Sequence, residues 1–272
     1  MNRAVSAVVA PSRADLAQRA ATVVAGVLLV AAALVSRPGV LALVGCAAFV
    51  SGWEYRVLTA PWSRRAGRFV SGLAGLGCAA ACVAVVGARP WFAGPMIAGV
   101  LLLFLPGMVA PRRAAAARWI AGPLYFGALP AFLALLRQGD HGVAWVAVVL
   151  AATWGGSIGA YAIGRTLGRH PLAPGISPAK TVEGALGGLV FGTALAFAVS
   201  GGVIPWTTLA WIAPLAQALA QAGDLAESRL KRLCGAKDSG SLLGAQGGML
   251  DCVDGLCLAA PFVYIASGLV RG

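Results

Sequence analysis

Charged residues are scarce in this chain, and acidic residues are the scarcest. Asp, Glu, Lys and Arg together make up 11% of the 272 residues, and only nine residues are acidic. A typical soluble domain contains about 25% charged residues. The mean hydropathy is +0.83. This composition excludes an ordinary water-soluble domain and indicates an integral membrane protein.

Side chains that bind metals through nitrogen or sulfur are also poorly represented. The chain has two histidines, His141 and His170, and its six cysteines include no C-x-x-C pair. This pattern argues against a zinc site. Cys234 and Cys252 fall on the side that we predict to be cytoplasmic, where reducing conditions disfavour a structural disulfide.

The sequence contains no linker, low-complexity tail or internal repeat long enough to separate two domains. We therefore expect one membrane domain in three parts. Residues 1–19 form a short cytoplasmic lead, residues 20–142 an N-terminal transmembrane scaffold half, and residues 143–272 a C-terminal catalytic half. Glu54 is the only acidic residue within residues 20–136.

Long apolar runs account for most of the sequence. Several uncharged runs of roughly 16 to 22 residues match the length that a helix needs to cross a bilayer core. We predict an all-α integral membrane protein, a polytopic bundle of about nine transmembrane helices. The predicted spans are residues 20–36, 40–53, 69–88, 91–108, 119–136, 143–163, 184–200, 206–222 and 255–270. The second span is short for a bilayer, which leaves open a tilted or re-entrant helix or a wrong boundary.

Lysine and arginine divide unevenly between the loops on the two sides of these spans. Seventeen fall on one side, and the other side has four, which are Arg37, Arg89, Arg137 and Arg271. The positive-inside rule places the larger set, and the N-terminus, in the cytoplasm. We therefore predict a multi-pass protein of the cell inner (cytoplasmic) membrane, with basic loops facing anionic lipid headgroups. Nucleic acid is not an expected partner, because no contiguous basic face carries interleaved aromatic residues.

The acidic residues gather in one short stretch, residues 224–254, which holds five of the nine. These five are Asp224, Glu227, Asp238, Asp251 and Asp254, and they are interspersed with Arg229, Lys231, Arg232 and Lys237. Ionised groups are costly near hydrocarbon, so such a cluster indicates a functional site. Carboxylates that hold a divalent cation beside cations that hold phosphates are what phosphoryl or nucleotidyl transfer requires.

Helical spacing arranges these residues on faces. If residues 221–233 are helical, Asp224 and Glu227 lie one turn apart on one face, and Lys231 continues it. Asp251 and Asp254 repeat this spacing where the last helix begins, so the two pairs could face each other around one or two Mg²⁺ ions. Five glycines in residues 235–248 predict a loop that approaches a nucleotide closely. The alternative is a charged cytoplasmic loop whose ions pair with one another.

A second polar segment covers residues 159–188. Pro171, Pro174 and Pro178 exclude a continuous helix there. We expect residues 177–183 to begin the next helix, with Ser177 or Thr181 as its cap. The free N–H groups of that helix and Lys180 would then bind a phosphate. The alternative is a simple helix cap with one snorkelling lysine.

Glycine pairs at four-residue spacing, 155/159, 184/188 and 188/192, predict close helix packing.

Together these residues resemble the phosphatidate cytidylyltransferase (CDP-diacylglycerol synthase) family. The family signature runs Ser-x-x-Lys-Arg, four residues, Lys-Asp, a Gly-Gly pair and Leu-Asp-Arg-x-Asp. Its positions are occupied here by Ser228, Lys231, Arg232, Lys237, Asp238, Gly247, Gly248, Asp251 and Asp254. An upstream pattern, Ser-Pro-x-Lys-Thr-x-Glu-Gly, matches Ser177 to Gly184, and Trp53-Glu54 resembles a short family motif. The clear match covers about residues 154–261.

The resemblance implies transfer of the cytidylyl group of CTP to phosphatidic acid, giving CDP-diacylglycerol and pyrophosphate. It implies Mg²⁺, with a second cation left open, and either phosphatidic acid or a related anionic lipid as acceptor. It assigns catalysis to Asp224, Asp251, Lys237 and Asp238, and metal binding to Asp224, Asp251 and Asp254. It assigns substrate binding to Ser177, Lys180, Glu183, Ser228, Lys231, Arg232, Gly247 and Gly248. A homodimer is a further expectation.

Three positions depart from the family pattern. Ser157-Ile158 replaces Asp-Thr, Gly244-Ala245-Gln246 replaces Pro-Gly-His, and Cys252 replaces the arginine after Leu-Asp. These changes remove an aspartate, a histidine and an arginine. They leave open two alternatives: a CTP-dependent transferase or kinase acting on another lipid acceptor, and a weakly active or non-catalytic homologue.

Overall fold

The computed structural model describes residues 13–60, 65–109, 121–240, 242 and 247–271. Its helices are α1 (Arg13–Leu34), α2 (Arg37–Thr59), α3 (Arg65–Ala88), α4 (Ala93–Val109), α5 (Phe132–Gln138), α6 (Gly142–Leu150), α7 (Gly156–Leu167), α8 (Val182–Val199), α9 (Trp206–Leu233), α10 (Leu250–Val253) and α11 (Leu256–Arg271). Most of the predicted 1–19 lead and the substituted residues 244–246 lie outside the described residues.

Five helical stretches in the described part of the chain are long and apolar enough to cross a membrane. They are Arg37–Thr59, Arg65–Ala88, Gly142–Leu167, Val182–Val199 and Leu250–Val270. The chain is therefore a multi-pass, predominantly helical membrane protein. The full set of nine spans and the cytoplasmic N-terminus stay predictions.

The short second span was wrongly bounded. Its helix, α2, is 23 residues long and continues through Glu54 and Arg56 to Thr59. The charged residues suggested an earlier end, yet Glu54 is buried. A buried carboxyl group is tolerated inside a helix when the protein supplies a hydrogen-bond partner, and Glu54 has one in the N–H of Leu250, the first residue of α10.

Helices α7 and α8 pack closely because glycines line their contact, as the four-residue spacing predicted. A Cβ atom added to Gly188 would lie 2.6 Å from the Gly156 carbonyl oxygen, and one on Gly192 would lie 2.7 Å from that of Ala152. Only glycine allows backbones to approach this closely in lipid. Any larger side chain would push α8 away from the helix that carries residues 142–167.

Two π-helical segments interrupt the apolar helices. Leu124–Ala128 precedes α5, and Ala151–Gly155 lies between α6 and α7. Within the second segment the Thr153 hydroxyl donates to the Val149 carbonyl oxygen at 2.9 Å, which satisfies this buried polar group inside its own helix. Such local widening leaves carbonyl groups that require another donor, which makes π segments frequent near functional sites.

A small hairpin departs from the all-α expectation. Strand β1 (Pro171–Ala173) pairs antiparallel with strand β2 (Ser177–Thr181). Of the two expected caps, Ser177 is excluded because it lies in β2, and Thr181 is confirmed because α8 begins at Val182. The prolines fix extended backbone on both sides of the turn. Thr181 is the N-cap, and its hydroxyl oxygen accepts the Gly184 N–H at 3.1 Å.

Helix α9 packs against both α8 and α11 and carries the acidic cluster at its C-terminal end. Gly223 lies directly against the backbone carbonyl of Asp254, so an added Cβ would collide there. This contact brings the second half of α9 beside the start of α11. The two acidic pairs, which are 27 residues apart in sequence, therefore meet at one place.

Candidate active site

Lys231 joins the two acidic pairs. Its Nζ lies 2.5 Å from Glu227 Oε2 on the same helix and 2.6 Å from Asp251 Oδ1 on α10. The lysine and aspartate side chains are each 13% exposed, and the Glu227 side chain is fully buried. Charges paired in such surroundings interact much more strongly than in water. One ammonium group therefore holds together the two helices that carry the predicted catalytic carboxylates.

Asp251 is fixed by backbone and side-chain donors as well. Its Oδ2 accepts the Gly248 N–H at 2.7 Å and the Ser239 hydroxyl at 2.9 Å, with the Ser239 N–H at 3.4 Å. With Lys231 on the other oxygen, both carboxylate oxygens are engaged. Charge-assisted hydrogen bonds of this kind are the strongest that proteins form. The Asp251 carboxylate thus has a single, defined orientation.

Glu54 reaches the same loop from α2. Its Oε2 accepts the Leu250 N–H at 3.0 Å across 196 residues of sequence, and the residue is 6% exposed. Glu54 was not among the site residues predicted from the sequence. The part of the molecule that we expected to serve as scaffold therefore contributes a buried carboxyl group directly behind Asp251.

Burial favours the protonated form of the Glu227 carboxyl group. Removal from water raises the pKa of its carboxyl group to about 9, although Lys231 acts in the opposite direction. For Lys231, burial lowers the pKa, but the adjacent Glu227 and Asp251 outweigh it and the net pKa is raised. Lys231 is therefore an ammonium ion, Asp251 is a carboxylate with four donors, and Glu227 is the weaker acid of the two carboxyl groups.

We expect this proton to appear in the pH dependence of stability. The proton on Glu227 stabilises the fold fully below the ordinary pKa of 4.5, and this contribution is lost as pH rises towards about 9. Glu227→Gln lacks that titration. Between these limits the free energy of unfolding of the wild type should fall relative to that of the variant, by up to about 1.4 kcal/mol per pH unit. Thermal unfolding in detergent across this range measures the difference. A difference that is constant with pH would mean that Glu227 is ionised.

Asp224 pairs with the other lysine of the site. Its Oδ1 lies 2.5 Å from Lys180 Nζ, and it also accepts the Ser228 hydroxyl at 3.4 Å. Lys180 lies on β2, so this ion pair ties the hairpin to α9. Asp254 lies across the Gly223 contact in the turn between α10 and α11, and its Oδ1 accepts the Gly255 N–H at 2.5 Å. The structure therefore gathers Asp224, Asp254 and Lys180 beside the Lys231 cluster.

Three of the predicted substrate-binding residues make hydrogen bonds within the hairpin or between the hairpin and the adjacent helices. Glu183 accepts the backbone N–H groups of Arg169 and His170 at 3.0 and 3.2 Å, and its Oε1 lies 2.5 Å from His170 Nδ1. Arg232 donates to the Ile176 carbonyl oxygen at 3.1 Å. Ser177 is paired with Ala173 in the hairpin. These contacts position the loop that presents Lys180.

The two neighbouring glycines, Gly247 and Gly248, are crowded by carboxyl groups. Gly247 has φ +90°, and a Cβ there would collide with Asp251 Oδ2. A Cβ on Gly248 would collide with Glu54 Oε2 and the Ser239 hydroxyl. The backbone at both glycines therefore lies against carboxyl groups of the protein, and their approach to a nucleotide stays a prediction.

Lys237 and Asp238 lie apart from this cluster. Both are exposed in the loop after α9, and neither makes a hydrogen bond or ion pair with another described residue. Ser157, at the first position that departs from the family pattern, is exposed and donates to the Thr153 carbonyl oxygen at 3.0 Å. Cys252 contributes its carbonyl oxygen to the Trp154 indole N–H at 3.2 Å.

The donor set suits a magnesium ion in part. Among the residues with described positions, no group of three or more His, Cys, Asp or Glu side chains is arranged to hold a metal ion. Mg²⁺ binds through one or two carboxylates and takes its remaining ligands from phosphates and water. Asp224 and Asp254 offer such a pair, and the ammonium group 2.5 Å from Asp224 Oδ1 shows that this oxygen accepts a cation.

Two residues of this site, Glu54 and Ser239, were not among the predicted site residues, although Trp53-Glu54 was noted as resembling a family motif. Glu54 carried a usable signal, because it is the only acidic residue in residues 20–136 and lies within an apolar helix. Ser239 carried none beyond its place directly after Lys237-Asp238. A single serine in a glycine-rich loop does not distinguish itself from any other turn residue.

Comparison with known proteins gives a family match over most of the chain. A family model described as "Cytidylyltransferase family" matches residues 17–270. The chain is 45% identical over 143 residues to the phosphatidate cytidylyltransferase of Brucella suis biovar 1 (strain 1330), which covers 49% of this chain and 50% of that protein.

Two further relatives carry the same name. The Bacillus subtilis (strain 168) protein is 37% identical over 141 residues, covering 51% of this chain and 52% of the relative. The Mycobacterium bovis (strain ATCC BAA-935 / AF2122/97) protein is 38% identical over 144 residues, covering 51% and 46%. The chain thus matches about half the length of these curated relatives.

Proposed function

This chain belongs to the cytidylyltransferase family, and we propose that it transfers the cytidylyl group of CTP to phosphatidic acid. The products are CDP-diacylglycerol and pyrophosphate. The observation that carries the proposal is the cluster in which Lys231 bridges Glu227 and Asp251 while Lys180 pairs with Asp224. The names of the relatives support the choice of phosphatidate as acceptor.

The reaction needs positioning and charge neutralisation more than a covalent nucleophile. An oxygen of the lipid phosphate forms a bond to the α-phosphorus of CTP, and the bond from that phosphorus to the pyrophosphate oxygen breaks. Negative charge accumulates on the phosphoryl oxygens and on the leaving pyrophosphate. Lys180 and Lys231 supply fixed positive charge beside them, and Arg232 adds another cation at the hairpin.

A divalent cation fits the acidic side of the site. Asp224 and Asp254 would hold it, with Asp251 adjacent, and when bound it would neutralise charge on the transferring phosphate. The residues of this chain do the remaining work. Asp251 is oriented by four donors, and Lys180 is held at the carboxylate of Asp224 until phosphate oxygens compete for its ammonium group.

The site is proposed to face the cytoplasm at the inner membrane, where CTP is present. The support is the distribution of basic residues, seventeen on one side against four on the other, since Lys180, Lys231, Arg232 and Lys237 all belong to the larger set. This placement puts the phosphate-binding lysines at the surface where an anionic lipid headgroup lies.

A direct assay tests the proposal. Detergent-purified protein is incubated with CTP labelled on the cytidine, phosphatidic acid and Mg²⁺, and label in the lipid phase and released pyrophosphate are both measured. We expect both signals in the wild type. The double variant Asp224→Asn with Asp251→Asn should lose them by at least about 100-fold.

Asp140→Asn is the matched control, because Asp140 is exposed in the turn between α5 and α6. Full activity in the double aspartate variant would rule out the proposed site. The substitutions at residues 244–246 and 252 favour, as the second candidate, transfer to a different lipid. An alcohol acceptor labelled from the γ-phosphate of CTP, without cytidine label, would establish a kinase instead.

A further inference from the structure

Helix α2 inserts one carboxyl group into the loop that supports Asp251. Glu54 lies within a candidate membrane span, Arg37–Thr59, yet its side chain is turned into protein and is hydrogen-bonded to the Leu250 N–H at 3.0 Å. That N–H belongs to the first residue of α10, the four-residue helix that carries Asp251. The contact therefore joins the first half of the chain to the element that bears a predicted catalytic carboxylate.

The loop backbone is shaped around this carboxyl group. A Cβ added to Gly240 would lie 2.7 Å from Glu54 Oε1, and its three nearest atoms all belong to Glu54. A Cβ on Gly248 would collide with Glu54 Oε2 and with the Ser239 hydroxyl. Ser239 and Gly248 are the residues that donate to Asp251 Oδ2. Glu54 thus contacts the residues that orient Asp251.

We propose that Glu54 is a positioning residue, which holds Ser239 and Gly248 in place so that Asp251 keeps its orientation during transfer. The inference rests on the proposed function and deepens it. The donor residues Ser239 and Gly248 lie outside helices and strands, whereas α2 is a 23-residue helix. A rigid helix is the better anchor, because misplacement of a reacting group by about 1 Å can cost roughly 100-fold in rate.

Variants at Glu54 separate positioning from folding. We expect Glu54→Ala to lower kcat about 10- to 100-fold while KM for CTP stays unchanged, since Glu54 does not touch the substrate. Glu54→Gln keeps a carbonyl oxygen that accepts the Leu250 N–H, and it should recover much of the lost kcat. Ser51→Ala is the control, because Ser51 is fully buried one turn earlier on the same helix.

A double-mutant cycle tests the route through which Glu54 acts. Gly240→Ala should lower kcat by displacing the Glu54 carboxyl group, and adding Glu54→Ala should cost little more. Additive losses would overturn the proposal. The proposal would also be overturned if Glu54→Ala raised KM for CTP instead of lowering kcat, or if Ser51→Ala lowered kcat equally.

Hydrogen exchange gives a readout that does not depend on activity. In Glu54→Ala the amides of residues 247–253 should exchange faster, while those of α8 should not change. If the wild type itself lacks cytidylyl transfer, the proposed function fails. The rate of hydrogen exchange at residues 247–253 in Glu54→Ala then remains as the test of whether Glu54 holds this segment in place. If the wild type is active and exchange is unaltered in Glu54→Ala, the positioning role fails while the proposed function stands.

Discussion

Lys231→Met is expected to abolish cytidylyl transfer and to lower the stability of the protein substantially. The ammonium group of Lys231 lies within 2.6 Å of two carboxyl groups, and its side chain is only 13% exposed. Removing one partner of a buried ion pair leaves the other charge uncompensated, which costs roughly 3–5 kcal/mol. Activity should fall by at least about 100-fold, because the site loses a phosphate-binding cation and a hydrogen-bond donor to Asp251.

The measurements are the rate of CDP-lipid formation and thermal unfolding in the same detergent. Arg169→Met is the matched control, since Arg169 is exposed in the segment between α7 and β1. We expect the control to change stability by no more than about 0.5 kcal/mol. If Lys231→Met unfolds at the temperature of the control, Lys231 does not join α9 to α10 as described.

Local periodicity was enough to predict the part of the site that lies on one helix. Asp224, Glu227 and Lys231 are spaced to share a face of α9, and the structure places them so. The same spacing indicated Asp251, to which the resemblance assigned a catalytic role, and the family is confirmed by the match over residues 17–270. Glycine spacing likewise predicted the close contact of α7 and α8.

The rest depends on tertiary contacts that sequence spacing does not encode. Glu54 is 196 residues from the N–H group that it binds, and only the packing of α2 brings the two together. Charged residues were taken to end the second span, but a buried hydrogen bond allows α2 to continue through Glu54. Residues 177–181 carry a helix-start pattern with two possible caps, and pairing with Pro171–Ala173 makes them a strand, which leaves Thr181 as the cap.

Gly247→Ala should damage catalysis far more than it damages the fold. Gly247 has φ +90°, and an added Cβ would collide with Asp251 Oδ2. Positive φ costs an L-residue about 1–2 kcal/mol. The collision adds a displacement of the Asp251 carboxylate, and movement of a reacting group by about 1 Å lowers the rate roughly 100-fold.

Gly235→Ala separates these two effects. Gly235 has φ +71°, but nothing lies within 4 Å of an added Cβ, so this variant pays the backbone cost alone. Both variants should lose comparable stability in thermal unfolding, and only Gly247→Ala should lose kcat by about two orders of magnitude. If the two variants were equally active, the displacement of Asp251 by a side chain at residue 247 would have no effect on transfer. The orientation of Asp251 would then not govern the rate.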